Sequence, residues 1–274
     1  MQWSRAPCAL ICGTLALLAA PNASAQYIYQ PASAGSQATG ENYNIEFGVF
    51  FWSPSPEIVV SSEALGIVGT SIDLVADLAI EQTRLREFRL VLRPGTKHKL
   101  RFHYLPAEYI AQTTLQQELV FNGIRYDAGL EVDTRLKWTQ WRLGYEYDLV
   151  YRDLGYFGII VEAKYTDVDT RLAAAIGTEF TRARAPVPTV GAIGRVYLMP
   201  NIAVTGEFTG FSLPKLQDEY DGHFYDYDIY GTVNFTNEIG AQVGYRSMDL
   251  AYRIESDSGT FKMKGFYFGG VVRF

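Results

Sequence analysis

The chain has 274 residues, of which 48% are hydrophobic and 14% aromatic, and it carries a formal net charge of −6 at pH 7. Its mean hydropathy is close to zero, and beyond residue 25 no segment approaches the ~20 consecutive apolar residues of a membrane-spanning helix. The acidic balance argues against a nucleic acid as partner. The composition thus excludes a helical membrane protein and disfavours a nucleic-acid-binding one.

The first 25 residues have the pattern of a secretory signal peptide. Arg5 is their only charge, an apolar stretch covers 9–20, and small residues follow at 23–25, as cleavable signals require. We therefore predict a signal peptide over 1–25. Both cysteines, Cys8 and Cys12, lie within it, so we expect no disulfide and no cysteine–metal site in the exported chain.

The rest of the chain divides into a short lead-in and one domain. Residues 26–42 are rich in Ser, Ala, Gly and Gln without periodicity, which predicts a disordered periplasmic lead-in. Residues 43–274 alternate strand-like segments with turn residues. Within them, one group of apolar residues recurs at helical spacing and predicts a short helix in the first long loop. Its members are Ile72, Leu74, Val75, Leu78 and Ala79.

The strand-like segments number about ten, and the connections between them alternate in length. The short connections are 94–97, 151–155, 200–201 and 236–238, and the longer ones are 54–83, 112–130, 169–186, 214–223 and 255–260. Outer-membrane barrels have an even number of strands, short periplasmic turns and long extracellular loops. We predict an all-β, up-and-down antiparallel transmembrane β-barrel over 43–274 with about ten strands, eight being the alternative, and both ends in the periplasm.

Aromatic residues fall near the ends of the predicted strands, as an interfacial girdle requires. They are Tyr104, Trp138, Trp141, Tyr145, Tyr147, Tyr165, Tyr225, Tyr227, Tyr245, Phe268 and Phe274.

Several stretches resemble a family of small Gram-negative outer-membrane proteins, the "outer membrane protein beta-barrel" family. These stretches are 69–78, 90–102, 141–148 and the terminal strand, and the resemblance covers roughly 43–274. It implies location in the outer membrane, with no shared catalytic motif to transfer. It also implies that Phe266, Phe268 and Phe274, on one face of the last strand, form the signal read by the barrel-assembly machinery.

Strand alternation places one charged set of side chains inside the barrel. The set is Glu87, Arg89, Arg93, Lys99, Arg101, Arg142, Glu146, Glu162, Lys164, Arg195, Glu207, Asp226, Asp228 and Arg246. Both signs are interspersed, so the simplest interpretation is a set of ion pairs that plugs a narrow barrel. The alternative is a narrow, porin-like channel for small polar or amphipathic solutes.

Catalytic chemistry has one candidate region, the acidic segment around His223. A His beside carboxylates can act as a general base, and Ser212 is near in the sequence, which keeps an outer-membrane hydrolase as a third hypothesis. His98 and His103 are predicted to face water and the interior, respectively. The same segment could offer oxygen ligands to a divalent cation: Asp218, Glu219, Asp221, Asp226 and Asp228. Their spacing does not match an EF-hand loop.

We therefore predict a non-enzymatic outer-membrane barrel with a charged, plugged interior that contributes to envelope integrity or surface interaction. Its expected partners are outer-membrane lipid, lipopolysaccharide and, during biogenesis, the barrel-assembly machinery. No catalytic residue, cofactor or metal site is predicted.

Overall fold

The computed structural model describes residues 38–61, 71–121, 124–175, 177–216, 220–254 and 257–274. These residues contain thirteen strands: β1 (Ile45–Ser61), β2 (Ile72–Asp73), β3 (Leu85–Gly95), β4 (His98–Thr114), β5 (Leu119–Phe121), β6 (Ile124–Tyr126), β7 (Glu131–Arg152), β8 (Gly155–Ala174), β9 (Gly177–Met199), β10 (Ile202–Leu216), β11 (Tyr220–Asn234), β12 (Ile239–Ile254) and β13 (Asp257–Arg273). None of the described residues forms a helix long and apolar enough to cross a bilayer.

Ten of the strands form one closed antiparallel barrel. Their order is β1, β3, β4, β7, β8, β9, β10, β11, β12 and β13, and β13 returns to pair with β1. The closing pair runs from Glu46 opposite Arg273 to Ser61 opposite Ser258. Strand β2 adds to β1, while β5 and β6 form a separate hairpin. The predicted up-and-down barrel of ten strands is confirmed, and the alternative of eight is wrong.

The barrel strands are longer than a membrane requires. Strands β7, β8 and β9 contain 22, 20 and 23 residues, whereas a spanning strand needs about 9–11. The additional residues lie at the end of the barrel where β8 meets β9, β10 meets β11 and β12 meets β13, which we call the hairpin end. The opposite end carries the tight turns, and we call it the short-turn end. The loops predicted over 169–186, 214–223 and 255–260 are therefore wrong for most of their residues, which continue the strands.

The outward face of a long strand changes from apolar to charged along its length. In β8, Ile159 and Val161 are exposed and apolar. Further toward the hairpin end, the outward Asp167 accepts hydrogen bonds from Arg182 and Arg184 of β9 at 2.8 and 3.2 Å. Exposed apolar side chains on a barrel suit lipid, and exposed ion pairs suit water. The membrane boundary therefore crosses β8 between Val161 and Asp167.

Neighbouring strands cross the same boundary. In β13 the exposed Phe266 is followed toward the hairpin end by Lys264, which binds Glu57 of β1 at 2.8 Å. In β7 an outward Arg135 pairs with Glu108 of β4. The charged outward residues thus form a ring above the apolar belt, so this half of the barrel stands in water.

Aromatic pairs line the boundary on the outside of the barrel. Tyr104 stacks on Trp141 with ring centroids 4.0 Å apart, and Tyr245 meets Phe266 edge to face at 5.0 Å. Trp138 was predicted to belong to this girdle, and that prediction is wrong. Its position in β7 has inward parity, and its side chain is buried in the barrel core.

Residues 72–73 form β2 and residues 74–78 form a turn, so the predicted helix is wrong. The Asp73 carboxylate accepts hydrogen bonds from two following backbone N–H groups at 2.9 and 3.1 Å. Ala79 then adopts the left-handed conformation, with φ of 53°, which ends the turn. The apolar residues whose spacing suggested a helix are instead buried in the mouth of the barrel. The side chains buried there are Ile72, Leu74 and Leu78.

Only the last five residues of the predicted lead-in, 26–42, lie in the described part of the chain. They pack against the short-turn end: the backbone N–H of Thr39 donates to the turn after β9 at 2.7 Å, and Glu41 is buried. The predicted disorder is therefore wrong for 38–42. The signal peptide predicted over 1–25 and the remainder of the lead-in lie outside the described residues.

Candidate functional site in the barrel interior

The structure places all fourteen charged residues of the predicted interior inside the barrel. They come from eight of the ten barrel strands, β3, β4 and β7 to β12, and each is at most 8% exposed. Strand alternation explains the placement, because every second residue of a barrel strand faces inward. They lie in the half of the barrel whose outer face is apolar, which we call the membrane half.

Arg142 of β7 is the centre of the charged cluster. Its guanidinium contacts the carboxylates of Glu162, Glu207 and Asp226 at 3.1, 3.1 and 3.3 Å. The Nζ of Lys164 donates to the same Asp226 at 2.9 Å. These contacts connect β7 and β8 with β10 and β11, so they cross the barrel.

A second group joins β3 to the last strands. Arg246 of β12 contacts Glu87 at 3.1 Å, and Arg89 contacts Glu87 and Asp228 at 2.9 and 3.2 Å. The hydroxyl of Tyr267 donates to Asp228 at 2.8 Å. The ion pairs therefore reach the far wall of the barrel.

A third group extends toward the short-turn end. Arg101 contacts Glu207 and Glu146 at 2.6 and 3.4 Å. Lys99 contacts Glu146 and Asp148 at 2.6 and 3.0 Å. Asp148 is fully buried and was not in the predicted set, although its inward parity in β7 was the signal that could have found it.

Glu41 closes the cluster at the short-turn end. Its carboxylate contacts Arg195 at 2.7 Å and Arg93 at 3.6 Å. Burial acts to raise the pKa of Glu41, but Arg195 and other nearby donors and cations outweigh it and leave the pKa below its ordinary value. Sequence reasoning missed Glu41 because it lies in a segment rich in small residues that carries no strand pattern.

Charge and volume are both balanced inside the membrane half. With Glu41 and Asp148 added, the predicted cluster contains eight cationic and eight anionic side chains, all buried, and a further inward pair joins Arg273 to Glu46. A cavity bordered by Arg89, Lys99, Arg101 and other side chains measures only about 30 Å³, which is room for roughly two water molecules. The arrangement can neutralise the interior charges, and among the described residues this cavity leaves little space for a solute.

The interior changes to apolar toward the hairpin end, in the half whose outer face is charged. We call this the water half. Its buried residues include Trp52, Ile58, Leu74, Tyr109, Leu136, Leu172 and Phe261. The barrel is thus inverted along its axis: it is apolar outside and charged inside within the membrane, and charged outside and apolar inside above it.

The three histidines lie apart from one another. His98 is exposed at the short-turn end, and its Nδ1 lies 2.6 Å from the hydroxyl of Tyr145. His103 faces the interior, 3.4 Å from Glu87. His223 belongs to β11, whereas a loop was predicted there, and its Nε2 lies 3.3 Å from Asp249 of β12.

The hydrolase hypothesis needs a nucleophile beside His223. Ser212 of β10 is its register partner, but within the described residues no hydrogen bond joins the two side chains. A nucleophile and its base normally lie within hydrogen-bond reach. The geometry therefore gives this pair no positive support as a catalytic site.

The acidic residues near His223 are also dispersed. Asp226 and Asp228 point into the barrel and bind its cations, and Asp218 and Glu219 lie outside the described residues. In the described ranges no three His, Asp or Glu side chains gather in a way that could hold a metal ion.

Phe266, Phe268 and Phe274 are exposed on the outside of the barrel. The backbone N–H of Phe274 donates to Ile45 of β1 at 2.8 Å, so the last residue takes part in closure. Their role as an assembly signal stays a prediction.

The chain matches no protein-family model and no curated protein. It is similar in structure to the outer-membrane protease OmpT from Escherichia coli, with a TM-score of 0.57 and 8% identity over 88% of this chain and all of that one. The translocator domain of the autotransporter NalP from Neisseria meningitidis gives a TM-score of 0.42 at 9% identity, covering 84% and 88% of the two chains. Ail from Yersinia pestis gives 0.37 at 8% identity, covering 84% and 99%.

The likeness to OmpT shows the fold alone, since so low an identity carries no activity with it. The closed barrel and its apolar outer belt show where such a fold resides. The chain is an outer-membrane β-barrel protein, as the sequence predicted.

Proposed function

We propose that this protein is a non-enzymatic outer-membrane barrel with a closed interior, which contributes to envelope integrity or to surface interaction. The observation that carries the proposal is the balanced charged cluster that crosses the membrane half. A barrel of eight strands is filled by its own side chains, and ten strands enclose a wider space. Here long Arg and Lys side chains occupy the additional width, and each is paired with a carboxylate from another strand or with Glu41 of the segment 38–42.

The water half supports a role at the surface. Its strands continue beyond the membrane with charged outer faces, and its interior is a hydrophobic core like that of a soluble domain. Lys262 and Lys264 lie on the outside just above the apolar belt, where they pair with Asp249 and Glu57 but stay about half exposed. Cations at that height suit the phosphates of lipopolysaccharide, which we propose as the lipid partner.

The absence of enzymatic activity is part of the proposal. Ser212 and His223 are not joined by a hydrogen bond in the described residues, and the remaining histidines lie at the short-turn end or deep in the charged cluster. We therefore expect no hydrolysis of peptide or ester substrates by the purified protein, and no difference between the native chain and His223→Ala.

Conductance in a planar bilayer tests the closed interior. We expect the native protein to insert without discrete current steps, because ion pairs fill the membrane half. The matched double variant Arg142→Ala/Glu162→Ala removes both members of an ion pair, so the net charge of the protein is unchanged. This variant should show a small conductance. An open porin is the positive control. Stable, reproducible steps from the native protein would identify a narrow channel instead.

A further inference from the structure

The water half contains an apolar cavity of about 310 Å³ inside the barrel wall. Strands β8 to β13 surround it. Its inward-facing lining includes Val168, Val187, Phe211, Phe224, Leu250 and Phe261. The cavity opens toward the hairpin end, where Leu213, another lining residue, is 36% exposed. A molecule in the medium outside the cell could therefore enter it without crossing the membrane.

One polar group in the cavity wall has no partner. Thr166 of β8 is 4% exposed, it lines the cavity, and among the described residues its Oγ1 has no hydrogen-bond partner. A buried hydroxyl left unpaired costs roughly 1–3 kcal/mol, which a bound partner would offset. A ligand with one hydrogen-bonding group would satisfy it.

The inward charged side chain that precedes Thr166 in β8 is already paired. Lys164 lies two residues below Thr166, and its Nζ lies 4.3 Å from the centroid of the Phe224 ring. That ammonium is already bound to Asp226 and Thr209 at 2.9 and 2.8 Å. Arg184, Asp221, His223 and Arg253 also border the cavity, but they occupy outward strand positions. Thr166 is therefore the buried inward hydroxyl that is left to bind a ligand.

We propose that this cavity binds one small amphipathic molecule, with a ring-containing apolar body and a single uncharged hydrogen-bonding group directed at Thr166. Small-molecule sites are typically cavities of about 300–1,000 Å³ lined by apolar and aromatic side chains with a few polar groups. This cavity is about twice the ~150 Å³ engineered cavity that takes up benzene, so it accommodates a two-ring body. The proposal does not depend on whether the membrane half conducts.

The test is calorimetric titration of the protein in lipid nanodiscs with 2-naphthol and with naphthalene, after subtraction of titrations into empty nanodiscs. Both probes should bind saturably with one site per chain. Thr166→Val keeps the shape and removes the hydroxyl. It should weaken 2-naphthol binding about three- to tenfold, the loss expected for one hydrogen bond, and should change naphthalene binding less than twofold.

Substitutions that fill the cavity provide a second, independent test. Val168→Trp should weaken both probes at least tenfold, and Val187→Phe provides an independent filler if the first variant fails to fold. Val161→Trp on the lipid-facing side of the same strand is the matched control and should bind both probes as the native chain does. Absence of saturable binding above empty nanodiscs, or native-like binding by a folded filled variant, would overturn the proposal. Equal weakening of both probes by Thr166→Val would overturn the assigned role of its hydroxyl.

Discussion

At the residue scale, the interior cations are shared among several carboxylates. Arg142 contacts three of them, and Lys164 contacts two. Breaking a buried ion pair by removing one partner is costly because it leaves a charge without compensation. A cluster in which most charges have two or more partners keeps the membrane half neutral and fixes the strands around it.

Glu41→Gln tests the tie between the lead-in and the barrel. The change removes the charge that neutralises Arg195 and Arg93 while keeping the shape. We expect the free energy of unfolding at neutral pH to fall by about 3–5 kcal/mol, as for other broken buried pairs. Denaturant titration in lipid vesicles measures it. Glu238→Gln, on an exposed turn at the same end, is the control and should change little.

The difference in the free energy of unfolding between the native chain and Glu41→Gln should depend on pH. The pKa of Glu41 in the folded protein lies below its ordinary value of 4.5. Its stabilising contribution is therefore complete above about pH 4.5 and disappears as the pH falls through the lower folded-state value. The difference between the native chain and Glu41→Gln should narrow in acid. A constant difference from pH 7 to pH 3 would contradict the assigned ion pair.

Sequence reasoning succeeded for most interior residues that lie in a strand pattern, although it left out Asp148 and misplaced Trp138 of β7. Alternation in β8 correctly places Glu162 and Lys164 inside and Val161 outside. It could not place Glu41, because no strand period surrounds that residue, and its partner Arg195 is 154 positions away. Contacts of that range are fixed by barrel closure and leave no local trace.

At the element scale, the same alternate residues of a strand face inward along its whole length, while the interior around them changes from charged to apolar. In β8 the inward residue is Glu162 or Lys164 in the membrane half and Leu172 in the water half. The segment 169–186 was predicted as one of the longer connections. The pattern in fact continues with its polarity inverted, which a search for apolar outward residues cannot detect.

Substitutions at neighbouring positions of β8 test this inversion. Leu172→Asp places a charge in the apolar core of the water half and should lower the free energy of unfolding by more than about 3 kcal/mol. Arg171→Asp, one residue away on the outer face, should change it by less than about 1 kcal/mol. Denaturant titration compares the two. Similar costs at both positions would show that this segment does not enclose a core.

The segment 72–79 shows that apolar spacing does not by itself predict a helix in a short segment. Its apolar residues fit a helical period, but the Asp73 side chain satisfies the local N–H groups and β1 supplies a strand partner for Ile72. An Asx-type turn and a helix compete for the same residues, and pairing to an existing strand decides between them.

At the scale of the whole molecule, the orientation follows from the two ends of the barrel. Outer-membrane barrels place short turns in the periplasm, and both the segment 38–42 and Phe274 lie at the short-turn end. The hairpin end, with its charged outer faces and apolar cavity, would then face the medium. The cavity could not be predicted from the sequence, because it depends on how six strands pack around it.

Cysteine labelling on intact cells measures this orientation. Ala175→Cys, at the tip between β8 and β9, should react with a membrane-impermeant maleimide. Glu238→Cys, in the short turn between β11 and β12, should react only after the outer membrane is permeabilised. Both residues are exposed, so accessibility within the fold does not distinguish them. The reverse labelling pattern would invert the topology and leave the barrel unchanged.

The inversion of polarity along the barrel axis is the central claim, and spin-label accessibility along β8 tests it most directly. Nitroxides would be attached singly at the outward positions 159, 161, 169 and 171 of the protein in lipid vesicles, and their collision rates with oxygen and with a water-soluble nickel chelate compared. We predict lipid-like behaviour, with high oxygen and low nickel accessibility, at 159 and 161, and water-like behaviour at 169 and 171. Lipid-like accessibility at 169 and 171 would contradict the account, because it would place the proposed water half inside the membrane.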